Sequence, residues 1–333
     1  MFQIPLLPRG GLMKCTIAMM CAFCSLVVSA HGGLPLIGHW TFDETSGNTA
    51  FDSVAGGTDG AIGSNVTIGV PGAVGTAFEL PGPDTLTQDD LVDFGNATSV
   101  ISPITVRKED RISISAWLNW THNHLVRGTA LSIASDSTIQ NFIQIGVTGD
   151  QPTAPAPPLF PNGRVFNTKG GVFGGINILG NTDEVVNTSG QNTGGELVND
   201  ALIPEGTGTA LDDGQWHHVV MTIDTATDIV ELFVNGASVG TNPLPPIGTA
   251  SATQFQTTMN NFEVGDLGRG MTHISPYRGK IDDIQIYGRT LTADEVSFLF
   301  NNPGEVVVPE PASLALLGLG LVGLVLLGRQ RRT

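Results

Sequence analysis

Apolar residues recur at every second position in several short stretches of this chain, the period of a strand with one buried face. Over 37–43, Gly38, Trp40 and Phe42 share one face, and His39, Thr41 and Asp43 the other. Over 112–120, Ile112, Ile114, Ala116 and Leu118 face one way, while Ser113, Ser115, Trp117 and Asn119 face the other. Val219, Met221 and Ile223 repeat the pattern, as do Val230, Leu232 and Val234. The last run enters Asn235-Gly236 and continues with Ala237-Ser238-Val239, a hairpin signal because both turn positions favour positive φ. A further strand is predicted over 281–287, with apolar residues on both faces. One helix is predicted, over 292–300. Thr292 caps it, Glu295 completes a capping box, and Val296, Leu299 and Phe300 form its apolar stripe. Residues 150–212 are rich in Pro, Asn, Thr and Gly and read as a long loop insertion, with Val165-Phe166 and 172–179 as candidate strands inside it.

Composition narrows the picture. Among 333 residues, 43 are Gly and 20 Pro, only 14% are charged, and 41% are apolar. That excludes a coiled coil and a wholly disordered chain, and fits a turn-rich β protein. The net charge of −16 argues against a nucleic-acid partner and against anionic headgroups.

The two ends have their own logic. Arg9 and Lys14 precede an apolar stretch over 15–28, and Val28-Ser29-Ala30 offers small residues for cleavage, so 1–30 reads as a secretory signal cut after Ala30. Met13-Lys14 is an alternative start to Met1, and a membrane anchor is the alternative reading of the apolar run. All three cysteines, Cys15, Cys21 and Cys24, lie inside this signal. The exported chain would therefore hold no disulfide, thiolate metal site or cysteine nucleophile. At the other end Pro309-Glu310-Pro311 precedes a run of Leu, Val, Ala and Gly over 314–327, and Arg329, Arg331 and Arg332 follow. Such a run reads as a short transmembrane helix with a basic stop. The tripartite tail over 306–333 resembles the PEP-CTERM sorting signal. The resemblance implies export, transient inner-membrane anchoring, and recognition of Pro309, Glu310 and Pro311 by an exosortase that removes the tail. A plain C-terminal anchor is the alternative.

A second resemblance rests on an ordered series: His39-Trp40-Thr41-Phe42-Asp43-Glu44, Ala77-Phe78-Glu79-Leu80, Ile114-Ser115-Ala116-Trp117, Asp213-Gly214-Gln215-Trp216-His217-His218, Leu232-Phe233-Val234-Asn235-Gly236, and Tyr277-Arg278-Gly279-Lys280-Ile281-Asp282-Asp283. In this order the motifs over 34–302 resemble the laminin G-like domain of the concanavalin A-like lectin/glucanase superfamily. The expected fold is an all-β jelly-roll sandwich with one short C-terminal helix. The resemblance also implies a structural calcium ion, held by Asp282 with Asp43 and completed by backbone carbonyls. Strict alternation puts Asp282 on one face with Ile284 and Ile286, where a lone carboxylate needs a cation or donors. The alternative partners are Lys280 or Arg278.

Other chemistry is thinner. Glycosidases need two carboxyls about 5–9 Å apart. Glu231 stands alone on its strand, and Glu109-Asp110 are adjacent and so point apart. His122 and His124 share a face but lack an evident third metal ligand. No Gly-x-Ser-x-Gly elbow marks a serine nucleophile. Trp120, His122, His124 and Arg127 form a candidate glycan platform where a strand gives way to a loop; core packing is the alternative for Trp120. The sequence thus predicts an exported, non-catalytic surface or extracellular-matrix protein that binds glycan or matrix polymer. A polysaccharide-cleaving enzyme and a purely structural matrix or adhesion protein are the alternatives.

Overall fold

The alternating stretches pair into two antiparallel sheets. The structure, a computed structural model, describes residues 36–82, 87–96, 111–121, 127–134, 142–148, 171–177, 196–198, 211–224, 227, 229–243, 261–266, 268–269, 272–273 and 276–308. The sequence-predicted signal with Ala30, and the tail with Pro309, Glu310 and Pro311, lie outside these residues. So do His122, His124 and the side chain of Arg127. Among the described residues no helix is long and apolar enough to cross a membrane.

Sheet A runs in the order β14 (Ala237–Pro243), β13 (Ile229–Val234), β12 (Asp213–Asp224), β7 (Arg111–Thr121), β18 (Gly279–Tyr287), β5 (Thr76–Leu80) and β4 (Thr67–Pro71), with β1 (Leu36–Trp40) also paired to β18. Sheet B runs β11 (Glu196–Val198), β10 (Val172–Asn177), β9 (Phe142–Thr148), β8 (Arg127–Ala134), β15 (Asn261–Val264), β6 (Val92–Asn96), β3 (Gly60–Ile62) and β2 (Thr49–Ala50). A small ribbon joins β16 (Gly268–Arg269) to β17 (Thr272–His273). The inner faces close on one core, in which Trp40 meets Phe94 edge-on at 4.8 Å and Phe42 stacks on Phe78 at 4.3 Å. Each such buried aromatic contributes about 2–3 kcal/mol of transfer free energy before its ordering cost.

Three local features decide how the edges and corners are built. The β13–β14 hairpin turns at Asn235 (φ 50°) and Gly236 (φ 79°), as the dipeptide predicted. The insertion over 150–212 is not loop throughout: β10 and β11 extend sheet B at its edge. β10 falls within the candidate strand over 172–179 and β11 adds to it, while the candidate at Val165-Phe166 lies outside the described residues. A Cβ at Gly174 would lie 2.7 Å from the Met221 sulfur, so a small residue lets β10 close over sheet A. The third feature is a bulge in β18. Asp283 has φ 46°, and the pairing with β7 shifts between Asp282 and Gln285. One extra residue reverses the alternation. Ile281, Ile284 and Ile286 all enter the core, while Asp282, Gln285 and Tyr287 pair with Trp117, Ser115 and Ser113 on the opposite face. The expected sharing of a face by Asp282, Ile284 and Ile286 is thereby corrected.

That opposite face of sheet A is covered by α1 (Ala293–Asn301). Thr292 Oγ1 accepts the Glu295 N–H at 3.3 Å, and the Glu295 carboxylate accepts the Thr292 N–H at 2.8 Å, completing the predicted box. Arg289 adds a two-pronged pair to Glu295 at 2.7 and 2.8 Å. Val296 and Leu299 bury against Val220, Phe233, Tyr287 and Leu291.

Candidate metal centre

The turn between β4 and β5 is where the two sequence-predicted metal carboxylates meet a common backbone. The turn closes through the Gly72 N–H on the Gly75 carbonyl at 3.2 Å, and Gly75 has φ 58°. Asp282 Oδ2 accepts the Val74 N–H at 2.9 Å. Asp43 Oδ1 accepts the Thr76 N–H at 2.8 Å from the other side. The backbone bends at Phe42 (φ 54°), whose carbonyl accepts the Thr76 hydroxyl at 3.4 Å. Arg278, one of the two alternative partners, donates to the carbonyls of Pro81 and Gly82 at 3.0 and 2.9 Å.

Asp282 is fully buried, and among the described residues its Oδ1 has no hydrogen-bond partner. Burial pushes its carboxyl up to about 7; the Val74 amide opposes that rise and the Asp283 charge adds to it. A buried carboxylate with an orphaned oxygen is costly without a cation or a proton. The surroundings suit a hard cation. A Cβ built on Gly72 would sit 2.6 Å from Asp282 Oδ2 and 2.7 Å from the carbonyl oxygens of both Val74 and Thr76. Three oxygens thus converge on a space that glycine leaves open. Calcium takes oxygen ligands at about 2.3–2.6 Å, many of them backbone carbonyls. The residues present therefore fit the ion. Among the described residues no group of three or more His, Asp or Glu forms a metal cluster, so carbonyls would make up most of the set.

The candidate glycan platform looks different. Trp120 is 1% exposed, packs within the main core and meets His217 edge-on at 5.7 Å, while among the described residues its Nε1 has no hydrogen-bond partner. His217 lies 3.1 Å from Asp213 and from the Asn235 side chain. Glu231 accepts the Ser238 hydroxyl. The register also brings together two carboxylates that no sequence motif marks: Asp93 on β6 pairs with Glu263 on β15, so both share one face of sheet B.

His218, which with His217 looks structural from the family resemblance, lies in a second unusual environment. Its Nε2 lies 2.8 Å from Ser115 Oγ, its ring sits 5.0 Å from Trp117 and 6.3 Å from Phe300, and among the described residues its Nδ1 has no hydrogen-bond partner. Burial lowers its pKa to about 4, against the pull of the Asp283 carboxylate. Adjacency to Trp216-His217 gives no sign of this. Only the docking of α1 over β12 and β7 creates it.

Residues 161–297 match the concanavalin A-like lectin/glucanases superfamily. Residues 307–332 match the PEP-CTERM protein-sorting motif. No curated protein matches the chain. Among solved structures, one described as showing that cell entry of botulinum neurotoxin type C depends on interaction with two ganglioside molecules aligns with TM-score 0.50 and 12% identity. That alignment covers 80% of this chain and 51% of the other. Domain 4 of AbnA, an extracellular arabinanase from Geobacillus stearothermophilus in complex with arabinotriose, aligns at 0.47 and 18%, covering 80% and 98%. The binding domain of Paraclostridial Mosquitocidal Protein 1 aligns at 0.48 and 12%, covering 80% and 52%. The chain spans about half the length of the two toxin chains. At these identities the likeness is one of fold.

Proposed function

We propose, for a chain that carries a concanavalin A-like lectin/glucanase domain and a PEP-CTERM protein-sorting motif, a non-catalytic binding role at the cell surface or in the extracellular matrix. The protein is exported, its jelly-roll sandwich engages a glycan or matrix polymer, and its tail is read by an exosortase. The observation that carries this reading is the pairing of a carbohydrate-binding type of fold with a dedicated sorting motif on one chain. The ganglioside interaction described for the botulinum neurotoxin type C structure lends support at the level of fold alone.

Calcium is part of the proposal. Asp282 and Asp43, with the carbonyls of Val74 and Thr76, would hold the ion and tie β1, the β4–β5 turn and β18 together. Its contribution is structural: the positive charge compensates Asp282 where water cannot. The test is affinity electrophoresis of the full chain through gels containing different polysaccharides, with calcium and then with chelator. Calcium-dependent retardation on a particular glycan is expected. Equal mobility in every gel would move the role to a structural matrix or adhesion protein.

The polysaccharide-cleaving alternative gains one handle, the cross-strand pair Asp93 and Glu263. Release of new reducing ends by the wild type, and its loss in both Asp93→Asn and Glu263→Gln, would favour cleavage over binding.

A further inference from the structure

After α1 the chain does not leave the sandwich at once. Gly304 (φ 84°) turns it back, and its N–H donates to Asp283 Oδ2 at 3.2 Å. The Glu305 carbonyl accepts Gln285 Nε2 at 2.9 Å. The Val307 N–H donates to the Tyr287 hydroxyl oxygen at 3.0 Å, and that hydroxyl donates to Gln285 Oε1 at 2.5 Å. Gln285 Nε2 also reaches both oxygens of Asp283 at 3.1 Å. Asp283 meets His39 Nε2 at 2.7 Å, and Ser53 Oγ lies 2.9 Å from His39 Nδ1. One polar chain, buried along most of its length, therefore runs from the segment after β2, through β1 and the β18 bulge, to the strap over 304–307. Linked hydrogen bonds of this kind polarise and reinforce one another.

The strap ends where the sorting motif begins. Val307 is 9% exposed and packs with the cluster under α1, whereas Val308 is 70% exposed. The motif match starts at residue 307, and Pro309 follows Val308 directly. No spacer separates folded backbone from the Pro-Glu-Pro element. Recognition of an extended peptide uses its backbone groups as well as its side chains. At Val307 the amide is already committed to Tyr287.

We infer that the sandwich holds the upstream edge of the sorting motif shut against its last strand, so that tail removal waits on the strap over 304–307 peeling away. This rests on the sorting reading above. Processing then runs at a rate proportional to the fraction of molecules with the strap open. Nothing assigned to the motif itself requires such a dependence on the fold.

The experiment follows tail removal from the full chain by pulse-chase in cells that contain the processing peptidase. Tyr287→Phe deletes the hydroxyl that accepts from Val307 and donates to Gln285. Processing should become about tenfold faster, equivalent to about 1.4 kcal/mol in the opening equilibrium, in line with loss of the one hydrogen bond that ties the strap to this hydroxyl. A ten-residue Gly/Ser insertion between Val308 and Pro309 leaves every strap contact in place. It should be processed at least as fast as Tyr287→Phe, and adding Tyr287→Phe to it should change nothing further. Wild-type rates in both the insertion and Tyr287→Phe would overturn the inference. Replacing Pro309, Glu310 and Pro311 by alanines should leave the tail uncut. If that variant is cut like wild type, the sorting reading itself fails and takes this inference with it.

Discussion

Acid should loosen this protein through one buried imidazole. His218 is held neutral beneath α1, with Trp117 and Phe300 against its ring, Ser115 at its Nε2 and the Asn235 side chain accepting its backbone N–H. Its folded-state pKa is about 4, against 6.5 for the free side chain. A base with a depressed folded pKa binds fewer protons folded than unfolded between those two values. Stability is therefore fully present above about pH 6.5 and drains away as pH falls towards 4. The gap of roughly 2.5 units corresponds to about 3 kcal/mol lost across that window. Metal-free Asp282 acts with the opposite sign. Its carboxyl is raised, so its charge destabilises the fold at neutral pH, and protonation relieves that as pH falls through 7. The clean quantity is thus a difference. Urea unfolding of the wild type and of His218→Gln, measured in chelator from pH 7 to pH 4, should show the variant losing less stability by about 3 kcal/mol over the window, whatever its stability at pH 7. Parallel pH profiles for the two proteins would refute the assignment, because they would mean that His218 binds its proton equally well folded and unfolded.

Calcium at ten times its dissociation constant should add about 1.4 kcal/mol to unfolding, read as a rise in melting temperature that chelator reverses. Gly72→Ala should abolish that rise while Asp282 stays intact, because the new methyl occupies the space where three oxygens converge; an undiminished calcium response in this variant would remove the turn from the site. Trp120→Ala should cost about 3–5 kcal/mol by leaving a core cavity. Any fall in glycan retardation should then track the unfolded fraction measured by circular dichroism, and a selective loss of binding in a fully folded variant would return Trp120 to the ligand platform.

The strands that alternate strictly were legible because a buried face imposes period two. The capped helix was legible because Thr292 and Glu295 have the spacing that their reciprocal bonds require. What stayed hidden depends on pairing. The bulge at Asp283 changes which residues of β18 face inward, and a non-glycine residue at positive φ leaves no mark in an apolar pattern. Both the family resemblance and the expected place among isoleucines point to Asp282; the first leads to the β4–β5 turn, where Val74 donates to it, and the second is overturned by the bulge. The His39–Asp283 contact joins residues 244 apart in sequence, and Gly72 gains its meaning only once β18 lies beside β5. Inside the insertion the strand over 172–177 shows in the sequence despite Gly174 and Gly175, whereas the three residues of β11 are too few to display a period.

The pairing of β1 with β18 sets Leu36 opposite Tyr287, and the strap returns to that same tyrosine. The chain therefore enters and leaves the sandwich at neighbouring points of one sheet. A domain with that arrangement behaves as a cassette: it can be spliced into a surface loop of another protein, or strung in tandem, without prising its own strands apart.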